Sequence, residues 1–127
     1  MGLHQFMLMQ QPGIGGIGMY QLCKMDPYCV IETRHQKVRT RTINEAGKTP
    51  KWNQVFDIDV KYIGDDMTVT VYDEDVTSDD LVGKATIKMS SLCINGGLDD
   101  WFPIQFKGKQ SGQVHLKGDW RPAVAKV

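Results

Sequence analysis

The sequence has no long apolar run, no excess of either charge and few cysteines, and each absence excludes a class of protein. No stretch of roughly eighteen apolar residues suits a membrane-spanning helix, and the first residues lack the basic start and apolar core of a secretory signal. We therefore expect a cytoplasmic protein. Fifteen basic and fifteen acidic residues cancel, whereas a generic nucleic-acid binder carries an excess of Lys and Arg, so we expect no nucleic-acid partner.

Cysteine and histidine chemistry gives no sign of catalysis or of a zinc site. The three cysteines, Cys23, Cys29 and Cys93, are an odd number without a C-x-x-C pair, which predicts neither a disulfide framework nor a zinc cluster. No serine lies in a nucleophile elbow, and no motif sets a histidine beside a serine or cysteine. We expect a protein that is not an enzyme.

The pattern of apolar residues predicts an all-β domain, because no segment of ten or more residues has a helical period. The 127 residues predict one domain over 1–127, with a core of about 4–120 and a short C-terminal tail at 121–127. Short strands between regular turns predict an eight-stranded antiparallel Greek-key β-sandwich. Its core is expected to contain Trp52, Phe56 and Trp101. The predicted strands are 4–10, 28–34, 37–43, 54–60, 67–73, 83–89, 101–106 and 112–118.

Acidic side chains concentrate directly after the alternating strand that ends near Tyr72. Asp73, Asp75, Asp79 and Asp80 fall within eight residues of sequence. Clustered carboxylates are hard oxygen ligands that suit Ca²⁺, and a solvated acidic turn is the alternative. The segment does not fit the helix-loop-helix calcium motif, since Ser78 and Lys84 occupy the positions of its glycine and its bidentate glutamate.

Four segments in the same order resemble the C2 domain family, a calcium- and phospholipid-binding β-sandwich. Met25 to Val30 is similar to the family's "DPYV" element, and Thr49 to Phe56 is similar to its "NPxWNExF" element. The acidic segment from Tyr72 to Gly83 is similar to "YDxDxxxxDDxxG". Trp101 to Ile104 and Gly112 to Leu116 resemble the closing pair of strands. Because a strand follows the tryptophan strand, the circularly shifted arrangement of the phospholipase and ferlin type is the better match.

The resemblance implies that loops at one end of the sandwich hold Ca²⁺ between aspartates. The matching ligands are Asp26, Asp73, Asp75 and one or both of Asp79 and Asp80. The family's first loop carries a further aspartate, and Tyr20 stands at that register, with no acid anywhere from Met1 to Met25. Affinity and stoichiometry are open, because the number of charged ligands sets both.

Two further features are expected to face lipid. Lys37, Arg39 and Arg41 alternate on the predicted strand 37–43, which puts them on one face, similar to the family's phosphoinositide groove. The alternative is an ordinary solvated strand face. Ile17 and Tyr20 lie in the loop before Asp26, and Val76 lies in the acidic segment. These apolar side chains are expected either to insert into lipid or to pack inside the loops.

The resemblance implies calcium-dependent binding to anionic phospholipid, either phosphatidylserine or phosphoinositide, by a membrane-targeting module used in signalling. Such a protein would be cytoplasmic and reversibly peripheral to a membrane. The alternative is a calcium-independent protein-interaction or scaffold domain with a degenerate ion site and a protein partner. The missing first-loop acid favours this second interpretation.

Overall fold

The computed structural model describes residues 2–10, 25–44, 50–93 and 97–122. These ranges contain eight strands and a short helix, α1, after the sixth strand. Within them no helix is long and apolar enough to span a membrane. The elements are β1 (Gly2–Gln10), β2 (Pro27–Glu32), β3 (Lys37–Arg39), β4 (Lys51–Val60), β5 (Asp66–Asp73), β6 (Asp80–Lys88), α1 (Met89–Cys93), β7 (Gly97–Phe106) and β8 (Lys109–Pro122).

All the strand pairs are antiparallel, and the strand order is β3-β2-β5-β6-β7-β8-β1-β4. In this order the first half of the sandwich is β3-β2-β5-β6 and the second half is β7-β8-β1-β4. A single residue pair, Lys84 with Gln105, joins the two halves. The two halves face each other across one core that includes Ile31 and Val69 from the first half and Ile58 and Leu116 from the second. The predicted all-β sandwich of eight antiparallel strands is confirmed. The phospholipase-type connectivity stays a prediction, although β8 does lie between β7 and β1.

Alternation of apolar and polar residues explains which side chains reach the core. In β6, Val82, Ala85 and Ile87 are buried, and the intervening side chains of Lys84 and Thr86 are exposed. Trp52 is fully buried and Phe56 packs against the core, as predicted. Trp101 is instead 39% exposed, so its predicted place in the core is wrong. It lies on the opposite face of β7 from Ile104 and stacks on the His115 ring, with centroids 4.8 Å apart.

Several predicted strand boundaries are wrong by three or four residues, and the third and last strands differ most at their ends. The third strand ends at Arg39, not at residue 43, because the chain leaves the ladder at Thr40. Thr40 bonds Cys29 twice, since its N–H donates to the Cys29 carbonyl and its hydroxyl oxygen accepts the Cys29 N–H, both at 2.9 Å. The last strand is twice as long as predicted, spanning Lys109–Pro122.

Buried Cys29 is a free thiol, whose pKa is raised by burial.

Gly83 lets the two halves of the sandwich approach each other. It follows a bulge in the β5–β6 pairing, where Tyr72 and Val71 pair with Leu81 and Gly83 and skip Val82. A Cβ at Gly83 would lie 2.3 Å from Ser111 Oγ and 3.0 Å from Ile104 Cδ1. Both are well inside van der Waals distance, and both belong to buried residues of the second half. This position therefore has no room for a side chain.

We expect Gly83→Ala to lower the free energy of unfolding by about 1–3 kcal/mol, because overpacking forces buried neighbours to move. Urea denaturation of the purified chain measures the change. Lys84→Ala is the matched control, since it alters the next, exposed position of the same strand. The double change Gly83→Ala with Ser111→Gly should recover part of the loss. A Gly83→Ala protein as stable as the parent would contradict the close approach.

Candidate functional site

The loop end of β2 is anchored by a buried tryptophan from the opposite half of the sandwich. Trp52 Nε1–H donates to the Pro27 carbonyl at 3.2 Å, and the Ile43 N–H donates to the same oxygen at 3.1 Å. The β1–β4 pairing shifts register next to Trp52, where Asn53 has a φ of 45°. The Arg41 guanidinium donates to the Trp52 carbonyl. The "DPY" and "KWN" segments therefore form one bonded unit, directly beside Asp26.

Asp26 and the end of β5 hold each other through main-chain donors. Pro27 and Asp73 are Cα partners in the β2–β5 ladder. The Asp26 N–H donates to Asp73 Oδ1 at 2.9 Å, and the Glu74 N–H donates to the Asp26 carbonyl at 2.9 Å. The residue before β2 and the end of β5 are thus joined at the position of the two acids. The predicted proximity of Asp26 and Asp73 is present in the structure.

Asp80 lies in a strand and not in the acidic loop, which is the segment 74–79 between β5 and β6. It begins β6 and is the Cα partner of Asp73, the last residue of β5. Like charges directly opposite each other in a ladder repel. Burial raises the pKa of Asp73, and the nearby charges of Asp26, Asp80 and Asp75 raise it further, against the opposing bond from the Asp26 N–H. A cation here would relieve this repulsion.

Asp79 is occupied by donors from the protein itself. The Tyr28 hydroxyl donates to Asp79 Oδ2, and the Asp75 N–H donates to Asp79 Oδ1 at 3.2 Å. These two bonds, followed by the charge of Arg39, lower the pKa of Asp79. Burial and the bond to Asp79 raise the pKa of Tyr28 to about 12. Asp79 therefore shapes the loop, while Asp80 faces Asp73.

The predicted basic stripe is only partly a strand face. Lys37 and Arg39 flank Val38 in β3 and lie on the same side, whereas Arg41 comes after the strand has ended. The placement of all three on one strand face is therefore wrong for Arg41. Each cation has a partner: Lys37 Nζ is 3.9 Å from Glu32 Oε2, Arg39 is 3.4 Å from Glu74 Oε1, and Arg41 bonds the Trp52 carbonyl.

The apolar loop residues are described in part. Val76 is fully exposed at the tip of the acidic loop, and its N–H donates to Asp75 Oδ1 at 2.6 Å. Ile17 and Tyr20 lie outside the described residues. Exposed Val76 is compatible with the expected contact to lipid and not with packing inside the loop.

The donor chemistry of this end suits Ca²⁺, since every candidate ligand is a carboxylate oxygen. Among the side chains that the structure describes, however, no three His, Cys, Asp or Glu residues are grouped closely enough to hold a metal ion. Asp73 and Asp80 are partners in the β5–β6 ladder, Asp26 bonds Asp73 from the position before β2, and Asp75 lies in the loop after β5. The set fits a calcium site in chemistry and in order along the strands, without forming a closed ligand shell.

Three residues near this end did not emerge from the sequence as participants. Tyr28 and Tyr72 are Cα partners whose rings stack at 5.4 Å between centroids, and Glu74 pairs with Arg39. Tyr72 and Glu74 are next to the predicted ligand Asp73, and Tyr28 is two residues after the predicted ligand Asp26. The β2–β5 register that brings the two tyrosines together is a tertiary fact, so the sequence pattern gives no signal for their contact.

The two shifted carboxyl groups predict opposite effects of neutralisation. The folded-state pKa of Asp73 is raised, so its charge costs stability at pH 7, and this cost disappears as the pH falls through that pKa. Asp73→Asn keeps an oxygen for the Asp26 N–H and should raise the free energy of unfolding at pH 7 by about 0.5 kcal/mol, discounted for solvent screening. The advantage should vanish in acid.

Asp79→Asn is the matched comparison for that change. The folded-state pKa of Asp79 is lowered, so its charge stabilises the fold above its unfolded pKa, and this contribution is lost as the pH falls through the folded value. Asp79→Asn should therefore be less stable than the parent at pH 7 and equal to it in acid. Urea unfolding in chelator from pH 7 to pH 3 measures both, and identical pH profiles for the two variants would contradict the assignment.

Trp52→Phe removes the donor to the Pro27 carbonyl while keeping an aromatic ring in the core. We expect a loss of about 1–2 kcal/mol in the free energy of unfolding. The Asp26 amide should also exchange its hydrogen faster, because the start of β2 next to it loses an anchor. Trp101→Phe, at an exposed position, is the control and should change stability by no more than about 0.5 kcal/mol. Equal losses in the two variants would show that the buried bond contributes nothing.

Comparison with known proteins agrees with this arrangement. The family model for the C2 domain matches residues 15–104. The chain is 36% identical over 98 residues to extended synaptotagmin-3 of Xenopus tropicalis, an alignment that covers 76% of this chain and 11% of that relative. The chain thus spans about a tenth of the length of these extended synaptotagmins. The similarity is consistent with membrane or lipid binding.

Solved structures show the same fold. A C2 domain-containing protein from a putative elicitor-responsive gene superimposes with a TM-score of 0.82 and 25% identity, covering 98% of this chain and 92% of that one. A calcium-bound structure of two C2 domains of extended synaptotagmin 2 matches with a TM-score of 0.74 and 27% identity over 94% of this chain and 45% of that one. With its own motifs, its sandwich and the match of the family model in agreement, the chain belongs to the C2 domain family.

Proposed function

We propose that this domain docks reversibly on anionic phospholipid membranes and that Ca²⁺ bound at its acidic end strengthens the contact. The carrying observation is that Asp73 accepts the Asp26 N–H and is the Cα partner of Asp80 at one end of the sandwich. Burial, and after it the charges of the neighbouring acids, raises the pKa of Asp73 there. The calcium-bound state of a solved relative supports the same choice of ion. The role is one of binding and not of catalysis.

Asp26, Asp73, Asp75 and Asp80 are the proposed ligands. Like charges about 4 Å apart cost on the order of 1–4 kcal/mol per pair in watery to partly shielded surroundings, so an ion that neutralises them is favoured. Asp79 is not in this set, because both of its oxygens accept bonds from Tyr28 and Asp75. Lipid oxygens would complete the coordination shell, since Ca²⁺ takes six to eight oxygen ligands.

Membrane contact would use the surfaces beside this end. Bound Ca²⁺ would turn a face that repels anionic lipid into one that attracts it. Lys37 and Arg39 lie on the outer face of β3, and each cation near an anionic membrane contributes about 1 kcal/mol. Fully exposed Val76 at the loop tip would insert between headgroups.

A calcium-independent protein-interaction domain is the second candidate. It is favoured by the absence, among the described side chains, of any three grouped metal-binding residues, together with the missing acid of the first loop. In this case Asp73, Asp75 and Asp79 would have only structural roles. The two candidates differ in their response to chelator.

Co-sedimentation with phosphatidylserine vesicles across a calcium titration tests the proposal, with phosphatidylcholine vesicles and chelator as the zero points. The parent should pellet only with calcium and anionic lipid, and Asp73→Asn with Asp75→Asn should reduce calcium-dependent binding at least about tenfold, since ligand charge sets affinity. The control is Asp57→Asn with Asp59→Asn, which removes the same charge from exposed positions on β4. Equal binding by parent and ligand variant at saturating calcium would rule out the ion bridge.

A further inference from the structure

Arg39 contacts the acidic loop directly through Glu74 and indirectly through Tyr28 of β2. Its guanidinium nitrogen is 3.4 Å from Glu74 Oε1, and its guanidinium carbon lies 3.6 Å from the centre of the Tyr28 ring. The Tyr28 hydroxyl in turn donates to Asp79. A cation of β3 is therefore held against the loop that contains the proposed calcium ligands. The contact links two surfaces that sequence patterns treat as separate.

This contact lies between two proposed ligands. Glu74 is flanked by Asp73 and Asp75, and its N–H donates to the Asp26 carbonyl. Arg39 therefore serves as a counter-cation within the chain for the acidic end, and its charge contributes to the lowered pKa of Asp79. While it does so, Arg39 is less available to a phosphate group. The side chains of Arg39 and Glu74 are 49% and 45% exposed, so either can exchange partners in solvent.

The other end of β3 offers a comparison within the same strand. Lys37 pairs with Glu32 at 3.9 Å, with side chains 68% and 56% exposed. Glu32 ends β2 on the far side from Asp26, so this pair lies farther from the acidic end than the Arg39–Glu74 pair does. One short strand thus carries two ion pairs, of which only one reaches the proposed calcium loop.

We propose that the Arg39–Glu74 pair is a latch that couples calcium binding to the binding of a phosphate-bearing headgroup on β3. Calcium in the loop weakens the pull of the acids on Arg39 and releases it to the anion. An anion that takes Arg39 removes the counter-cation from the loop and so favours calcium. By linkage the two effects on affinity are equal. The inference rests on the proposed function and adds the regulation of that site.

The coupling ratio measures the latch directly. It is the Kd of an anion in chelator divided by its Kd in saturating calcium. Isothermal titration with soluble inositol 1,4,5-trisphosphate gives the ratio for the phosphate group alone, and co-sedimentation with vesicles containing phosphatidylinositol 4,5-bisphosphate gives it for the membrane-borne headgroup. The variants are Glu74→Gln, the matched control Glu32→Gln, and Glu74→Gln with Arg39→Gln.

Glu74→Gln should bind the anion about two- to fivefold more tightly than the parent in chelator, the range expected for one exposed ion pair. Its coupling ratio should fall by the same factor, because Arg39 is already released. Glu32→Gln should keep the parent ratio, and adding Arg39→Gln to Glu74→Gln should abolish the gain. A change in both assays assigns the effect to the phosphate group itself, and a change with vesicles alone assigns it to the membrane-borne headgroup.

An unchanged ratio in Glu74→Gln, or an equal fall in Glu32→Gln, would overturn the latch. If the parent still pelleted with calcium and anionic lipid, the proposed function would survive that result. Conversely, a gain in Glu74→Gln with soluble trisphosphate, beside a parent that ignores vesicles, would support the latch and refute membrane docking. The absence of anion binding by every variant in both assays would overturn both.

Discussion

The carbonyl oxygen of Pro27 is the point on which the acidic end depends. Proline contributes no N–H of its own to the ladder, yet its carbonyl receives donors from Trp52 and from Ile43, so two separate segments converge on it. Trp52 belongs to the second half of the sandwich and Pro27 to the first. Because the bond from Trp52 is buried, it fixes the position of the start of β2 relative to the opposite half. Asp26, one residue earlier, takes its position from that anchor.

Charge at this end is balanced by small contacts and not by one strong pair. Backbone N–H groups bond Asp73 and Asp75, a phenol and an N–H bond Asp79, and Arg39 offsets Glu74. The raised pKa of Asp73 reflects its burial first and then the charges of Asp26, Asp80 and Asp75. The fold tolerates the repulsion among these acids because the surrounding ladder holds the strand ends together. The charge of Asp73 therefore lowers the stability of the isolated domain, and a cation bound beside it would remove this cost.

Most of the fold could be predicted from the sequence, and the limits have physical causes. Alternation in segments such as Met67 to Tyr72 predicts a strand because its period is local. The sequence predicts Asp80 to lie outside a strand, because only its pairing with Asp73 makes it part of a ladder. Trp101 has a large aromatic side chain of the kind that usually fills a core, but the register of β7 turns it outward. The proximity of Arg39 to Glu74 joins residues 35 positions apart, which no local pattern encodes.

The position of β8 has a consequence for how the chain reaches its native state. Its neighbours are β7, which directly precedes it, and β1, at the opposite end of the sequence. During synthesis β1 is made before β8, so the edge of β1 that pairs with β8 stays open until the last of the eight described strands has been made. Contacts of such long sequence separation slow folding, and an open strand edge invites pairing with other chains. The sheet of a nascent chain is therefore completed only when β8 pairs with β1. A chaperone that covers the open edge of β1 until then would protect the chain from aggregation.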